Sequence, residues 1–137
     1  MSKILAIDFG LKRTGLAITD DSRIIASPLV AIESNKLLDY LILQIPKLKV
    51  AVIVLGYPLR LDGTDSHITE NVRLLKEVLE KQFPNLIIQF QDEQFSSVKA
   101  HQTIHLVGKK KQQKDKGLVD KLSATIILQE YLLSLDK

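Results

Sequence analysis

Asp8 is the residue of this chain whose type and setting point most clearly to chemistry. It ends an apolar run, residues 4–7, that is typical of a buried strand. An ionised carboxylate there is costly unless something pairs with it. Gly10 and Gly15 follow, and glycine permits tight turns and close backbone approach. The pattern predicts a hairpin that holds Asp8 in a cleft for a metal ion or a phosphate, with a structural aspartate in a turn as the simpler alternative.

Two further carboxylates stand where a chain usually avoids acids. Glu93 follows an apolar strand predicted over residues 86–90, and Asp120 opens the last predicted helix. The carboxyl ends of neighbouring parallel strands share one edge of a sheet, where ligand sites form. We therefore expect Asp8 and Glu93 to meet at that edge, and Asp120 can join them from a helix packed against it.

Three carboxylates in one place repel one another and need a cation. Carboxylate oxygens suit Mg²⁺ or Mn²⁺ rather than Zn²⁺ or Cu²⁺, and the chain has no cysteine. Two such ions about 4 Å apart serve many phosphodiester hydrolases, in which one activates water and the other stabilises the leaving oxygen. If they meet, Asp8, Glu93 and Asp120 are candidates for such a catalytic site, with Mg²⁺ or Mn²⁺ as its cofactor.

The elements that must position these carboxylates follow from the apolar pattern. Short strands are predicted over residues 3–8, 14–19, 23–30, 50–55 and 86–90, the last two of them buried. Helices are predicted over residues 35–48 with Ser34 as the N-cap, from Ser66 onward, over 97–107, and over 119–135. For the last helix we expect Leu122, Ile126, Gln129 and Leu133 on one repeating face. Three antiparallel strands followed by helix-linked parallel strands predict an α/β fold with a mixed sheet.

Length and composition fit one soluble domain over residues 1–137. The apolar content of 45% is enough for a core, and no segment has the length and composition of a signal peptide or a membrane span. A cytoplasmic protein is therefore expected. The pattern alone indicates no dimer face, and we expect a monomer or a weak dimer.

The positive charge of this chain is concentrated in one segment. Residues 99–116 carry a net charge of +5, whereas the whole chain carries only +3. A concentrated basic segment suggests a polyanionic partner such as nucleic acid, although a solvated loop that aids solubility is the alternative. The lysines that we predict to bind nucleic acid are Lys109, Lys110, Lys111, Lys114 and Lys116.

Four segments of the chain, in order, resemble the motifs of the YqgF family. They are residues 8–17, 56–64, 91–97 and 116–124, and four motifs in register are far more specific than any one. The resemblance implies the ribonuclease H-like fold shared with Holliday junction resolvases, with helices on both faces of the sheet. It also implies a nuclease. Members are named as candidate Holliday junction resolvases or as nucleases for the precursor of small-subunit ribosomal RNA. Of these two substrates, we expect RNA rather than branched DNA.

By the same resemblance, individual residues acquire expected roles. Asp8, Glu93 and Asp120 would be the metal-binding carboxylates, and Arg13 would lie in the cleft with the first hairpin. Arg60, in a Gly/Pro/Asp loop, is a further candidate contact for nucleic acid. The chain departs from the family at Gln94, where the family has arginine, and the change removes a bidentate phosphate donor.

Three functions remain open from the sequence. The first is a metal-dependent nuclease, acting on precursor ribosomal RNA or on a branched DNA junction. The second is a nucleic-acid-binding protein without nuclease activity, an alternative motivated by Gln94. The third is a nucleotide-binding protein of the actin-like superfold, which also begins with Asp-x-Gly but needs two such domains and a glycine-rich phosphate loop.

Overall fold

A five-stranded mixed sheet forms the centre of the protein. The computed structural model describes residues 2–57, 69–92 and 116–135, with the side chains of all of these except residues 92 and 116–120. The strands are β1 (Lys3–Asp8), β2 (Arg13–Thr19), β3 (Ala26–Glu33), β4 (Val50–Tyr57) and β5 (Ile87–Asp92). The helices are α1 (Leu37–Leu48), α2 (Thr69–Gln82) and α3 (Lys116–Leu135), and a 3-10 turn, Ser34–Lys36, precedes α1.

The strand order is β3-β2-β1-β4-β5, which places β1 in the middle. β1 pairs antiparallel with β2 and parallel with β4, and β4 pairs parallel with β5. The prediction of a mixed α/β sheet with three leading antiparallel strands is therefore confirmed.

The two faces of the sheet are buried by different helices. On one face, Leu5 and Ile7 of β1 pack in a cluster that includes buried residues of α1 and α2. On the other face, Ile4 and Ala6 of β1 pack in a cluster with Ala124, Ile127 and Leu128 of α3. Successive residues of a strand point to opposite faces, so β1 contributes alternately to the two layers. We call these the α1/α2 face and the α3 face.

The repeating face predicted for the last helix is not the face that packs on the sheet. Leu133 is 65% exposed and Gln129 is also exposed, whereas Ala124, Ile127 and Leu128 are fully buried. The residues of α3 are apolar on most sides, so the 3.6-residue period alone does not identify the face that packs on the sheet. The small Ala6, Ala17 and Ala124 at this interface let the helix approach closely.

Two other expectations also needed correction. The third strand begins and ends three residues later than predicted, at Ala26 and Glu33. β5 is an edge strand and is not buried on both sides, since Ile87 and Phe90 remain 56% and 39% exposed. The predicted helix over residues 97–107 and its neighbouring lysine-rich segment lie outside the described residues.

The β2–β3 turn lies at the opposite end of the sheet from Asp8. The Asp20 carboxylate accepts hydrogen bonds from the backbone N–H groups of Ile24, at 2.8 Å, and Ile25, at 3.2 Å. These bonds favour the ionised form and lower the pKa of Asp20 below its usual value. Arg23 joins this turn to the start of β1, because its Nε donates to the carbonyl of Ser2 at 2.7 Å.

No helix among the described residues is long and apolar enough to cross a membrane.

The corrected face of α3 makes a matched pair of substitutions decisive. Leu128→Ala should lower the free energy of unfolding by about 2–5 kcal/mol, because it removes a fully buried side chain and leaves a cavity. Leu133→Ala, the same change five residues later on the exposed side, should stay within about 0.5 kcal/mol of the wild type. Urea unfolding of both variants measures the difference, and equal losses would contradict the observed helix face.

Candidate functional site

Asp8 lies at the carboxyl end of the central strand, on the α3 face. It is the last residue of β1 and is half-buried. Ile4 and Ala6, its predecessors at alternate positions, pack under α3, whereas the next residue, Phe9, packs into the core on the α1/α2 face. The alternation of β1 thus directs a carboxylate to the α3 side of the sheet edge.

Glycines flank Asp8 on both neighbouring strands. Gly15 of β2 is its paired residue in the antiparallel register. On β4, Ile7 pairs with Leu55, so the register continued by one residue places Gly56 beside Asp8. Side chains of paired residues share a face of the sheet, and glycine has none. The carboxylate therefore stands between two positions without side chains, which leaves room for a ligand on its own face.

The loop between β1 and β2 is tightly folded. A Cβ atom at Gly10 would come closer to the Arg13 carbonyl oxygen than real Cβ atoms come to any neighbour. Only glycine fits this position without a shift of the backbone. Arg13, at the start of β2, is exposed and lies two residues before Gly15, so alternation places it on the α3 face with Asp8. The expected cleft position of Arg13 is compatible with this placement.

Ser34 fastens this loop to the start of α1. Its backbone N–H donates to the carbonyl of Lys12 at 2.9 Å, and its hydroxyl donates to the carbonyl of Gly10 at 2.5 Å. The same hydroxyl lies 2.8 Å from the Thr14 hydroxyl. The prediction of Ser34 as a helix N-cap was wrong, since neither the 3-10 turn nor α1 has a side-chain cap. Ser34 uses its hydrogen bonds on the hairpin instead.

The direction of α3 brings its first turns toward the edge that carries Asp8. Leu132, Leu133 and Leu135, at its end, line one cavity with Arg23 and Ile24 of the β2–β3 turn. That turn lies at the start of β1, as the bond from Arg23 to Ser2 shows. The helix therefore runs opposite to β1, and its beginning lies toward the carboxyl end of that strand.

Asp120 occupies an early position in this helix. It lies four residues before the buried Ala124, so the two positions are in line on the helix. Farther along, the hydroxyl of Tyr131 donates to Oε1 of Gln89 in β5 at 2.6 Å, which fixes the helix across the sheet. Gln89 is therefore on the α3 face, and alternation places Gln91 there too.

The other predicted site residues fall largely outside the described part of the chain. Lys116 begins α3, but its side chain is not among those described. Residues wholly outside it are Glu93, Gln94, Arg60, Lys109, Lys110, Lys111 and Lys114. Glu93 directly follows β5 in sequence. Among the described side chains no three acidic or histidine residues form a cluster, and two of the three predicted ligands are not in that set.

A layer of aromatic and cationic side chains at the β4–β5 edge is more interlocked than sequence reasoning indicated. The rings of Tyr57 and Phe90 have centroids 4.7 Å apart. Arg73 lies over Tyr57, with Cζ 5.6 Å from the ring centroid, and Lys76 lies over Phe90, with Nζ 5.3 Å from that centroid. Tyr57 also packs against the α1/α2 core. Its ring is thus largely engaged within the protein.

Comparison with known proteins gives a consistent result. The sequence profile of the RuvX family, described as Holliday junction resolvase, matches residues 2–134. A protein of Phocaeicola vulgatus named "Putative pre-16S rRNA nuclease" is 44% identical over 98% of this chain and 97% of its own length. One of Flavobacterium psychrophilum with the same name is 44% identical over 96% and 97%.

Two solved structures that share this fold are resolvases. The Fowlpox virus resolvase in complex with Holliday junction DNA aligns with a TM-score of 0.63 at 15% identity, over 98% of this chain and 99% of the viral one. RuvC of T. thermophilus with a Holliday junction substrate aligns with a TM-score of 0.61 at 9% identity, over 100% and 98%. The predicted ribonuclease H-like fold is confirmed.

The lack of space for a Cβ atom at Gly10 can be tested by adding a single methyl group there. Gly10→Ala should destabilise the protein by about 1–3 kcal/mol, because the new Cβ meets a backbone carbonyl that cannot rotate away. Thermal unfolding measures the change, and Ser27→Ala, at an exposed position of β3, is a control that should unfold like the wild type. A Gly10→Ala protein as stable as the wild type would show that the loop relaxes freely.

Proposed function

Because this chain belongs to the RuvX family, the YqgF family of the motif resemblance, we propose that it is a nuclease that hydrolyses phosphodiester bonds in the precursor of 16S ribosomal RNA. The relatives that carry this name match nearly the whole of residues 1–137, which supports one nuclease domain. Its substrate would place it in the cytoplasm. The observation that carries the proposal is Asp8, half-buried at the carboxyl end of the central strand between two glycines.

The residues at this edge fit a divalent cation of the magnesium type. Asp8 supplies carboxylate oxygen, which Mg²⁺ and Mn²⁺ prefer, and the flanking Gly15 and Gly56 leave space beside it. We propose Asp120, in the first turns of the helix α3, whose beginning lies toward this edge, and Glu93, which follows β5 in sequence, as the other ligands. In sequence, Glu93 comes two residues after Gln91, which lies on the α3 face.

The chemistry of cleavage divides between the cation and the chain. When bound, the cation would polarise the phosphate and lower the pKa of the attacking water. The three carboxylates would orient it, with Asp8 carried by β1 and Asp120 by α3. Arg13, on the same face as Asp8, would bind a phosphate oxygen near the cleaved bond. Arg60 and the lysines of residues 109–116 would hold the backbone farther along.

A branched DNA junction is the second candidate substrate. It is favoured by the description of the RuvX family as Holliday junction resolvase. A binding protein without nuclease activity is the remaining alternative, because Gln94 replaces the family's arginine. A panel of labelled precursor 16S RNA, single-stranded DNA and four-way junctions, with Mg²⁺ or Mn²⁺, separates these functions. We expect the precursor RNA to be cut, and only with metal present; cleavage in excess EDTA would contradict the metal requirement.

The assignment of Asp8 is tested by a substitution that keeps its shape. Asp8→Asn should reduce cleavage at least about 100-fold, since the loss even of an indirect partner of a metal ligand costs 10–100-fold. Asp21→Asn, at the exposed β2–β3 turn, is the matched control and should cleave like the wild type. In EDTA, Asp8→Asn should unfold no earlier than the wild type, because it relieves repulsion among carboxylates. A strongly destabilised variant would instead make Asp8 a structural turn residue.

The lysine-rich segment should contribute affinity rather than catalysis. Replacing Lys109, Lys110 and Lys111 with Ala should weaken RNA binding and reduce the slope of log K against log salt by about 0.7–0.9 for each phosphate that the protein no longer neutralises. The control replaces the exposed Lys36, Lys47 and Lys81, on the turn before α1, α1 and α2, and removes the same charge. Filter binding at several salt concentrations measures both slopes, and identical slopes would exclude the segment as a specific contact.

A further inference from the structure

The hydrogen bonds around Ser34 form a chain with a single possible direction. The carbonyl of Gly10 can only accept, so the one hydroxyl proton of Ser34 is donated to it. The Thr14 hydroxyl, 2.8 Å away, must then donate its own proton to Ser34 Oγ. Thr14 is fully buried, where a hydroxyl without a partner is costly. In this series of hydrogen bonds, Thr14 therefore donates to Ser34, and Ser34 donates to Gly10.

Ser34 also binds the loop through its backbone. Its N–H donates to the carbonyl of Lys12 at 2.9 Å. One residue at the junction of β3 and α1 thus contacts three points of the hairpin, Gly10 and Lys12 in its loop and Thr14 in its second strand. A Cβ atom at Gly10 would clash with the Arg13 carbonyl oxygen, so the loop that these bonds hold is also tightly folded.

These contacts lie next to the proposed cation-binding edge but are not part of the cation site. Gly10 is two residues after Asp8, and Thr14 precedes Gly15, the residue paired with Asp8. Thr14 lies two residues before Leu16 on β2, and Leu16 packs on the α1/α2 face. The Thr14 hydroxyl and Ser34 therefore lie on the opposite face of the sheet from the proposed metal. Ser34 can therefore act on Asp8 and Arg13 only through the backbone of the hairpin.

We infer that Ser34 is a positioning residue for the nuclease site, because its hydroxyl fixes the hairpin that carries Asp8 at one end and Arg13 at the other. The inference rests on the proposed function. A displacement of about 1 Å in a catalytic group can cost on the order of 100-fold in rate. Removal of the Ser34 hydroxyl should consequently lower kcat far more than it lowers affinity for RNA.

Three variants and one control test this role. Ser34→Ala removes the hydroxyl, Ser34→Thr keeps it, and Thr14→Val removes only the outer link of the chain. Ser27→Ala, in β3 and exposed, is the control. We expect kcat to fall about 10- to 100-fold in Ser34→Ala with KM changed less than about threefold, to recover in Ser34→Thr, and to fall less in Thr14→Val. Equal kcat in Ser34→Ala and the wild type, or an effect confined to KM, would overturn the inference.

A second measurement does not depend on nuclease activity. Trypsin can cut after Lys12 or Arg13 only when the loop opens locally. In Ser34→Ala this nicking, identified by mass spectrometry, should be about two- to tenfold faster, the scale of one hydrogen bond. The melting temperature should fall by a few degrees, because the buried Thr14 hydroxyl loses its partner. If no protein of the series cleaves nucleic acid but nicking accelerates in Ser34→Ala, the proposed function fails and the anchoring of the hairpin stands. Unchanged nicking would overturn the anchoring itself.

Discussion

The alternation of side chains along β1 is the constraint on which the rest of this structure depends. The strand is central, so both of its faces must be covered, and each face is covered by a different part of the chain. Leu5 and Ile7 require α1 and α2, whereas Ile4 and Ala6 require α3. A shift of the register by one residue would exchange the two sets and would move Asp8 to the α1/α2 face. The same register of β1 thus determines both which residues are buried in the core and on which face the Asp8 carboxylate lies.

The glycines at the edge have meaning only within this arrangement. Gly15 and Gly56 belong to different strands and are far apart in sequence, yet the register places one on each side of Asp8. A side chain at either position would lie against the carboxylate. The fold therefore keeps a space open next to its one half-buried acid in the central strand, which is the physical basis for the proposed cation site.

Much of this arrangement was predictable from the sequence, because local pattern determines it. The apolar run before Asp8 predicted a strand, and the order of strands and helices predicted the mixed sheet, as the topology confirms. What failed depended on contacts distant in sequence. Ser34 has the residue type and position of a helix cap, but its hydroxyl is oriented to the hairpin, where it donates to the carbonyl of Gly10 and pairs with the hydroxyl of Thr14. In α3 nearly every side is apolar, and only the sheet determines which residues are buried. The roles proposed for Glu93 and Asp120 stay predictions.

The cover of β1 by α3 has a consequence for the order in which the protein matures. The strand is among the first elements to be synthesised and α3 is the last of those described, so a growing chain can form the α1/α2 layer before the other layer exists. Domains generally fold as units during synthesis, and here one face of the sheet stays uncovered until α3 has been synthesised. Under the proposed function, a growing chain that contains Asp8 but not yet Asp120 would hold an incomplete ligand set. Under the proposed function, the nascent enzyme would remain inactive beside the ribosome that makes it.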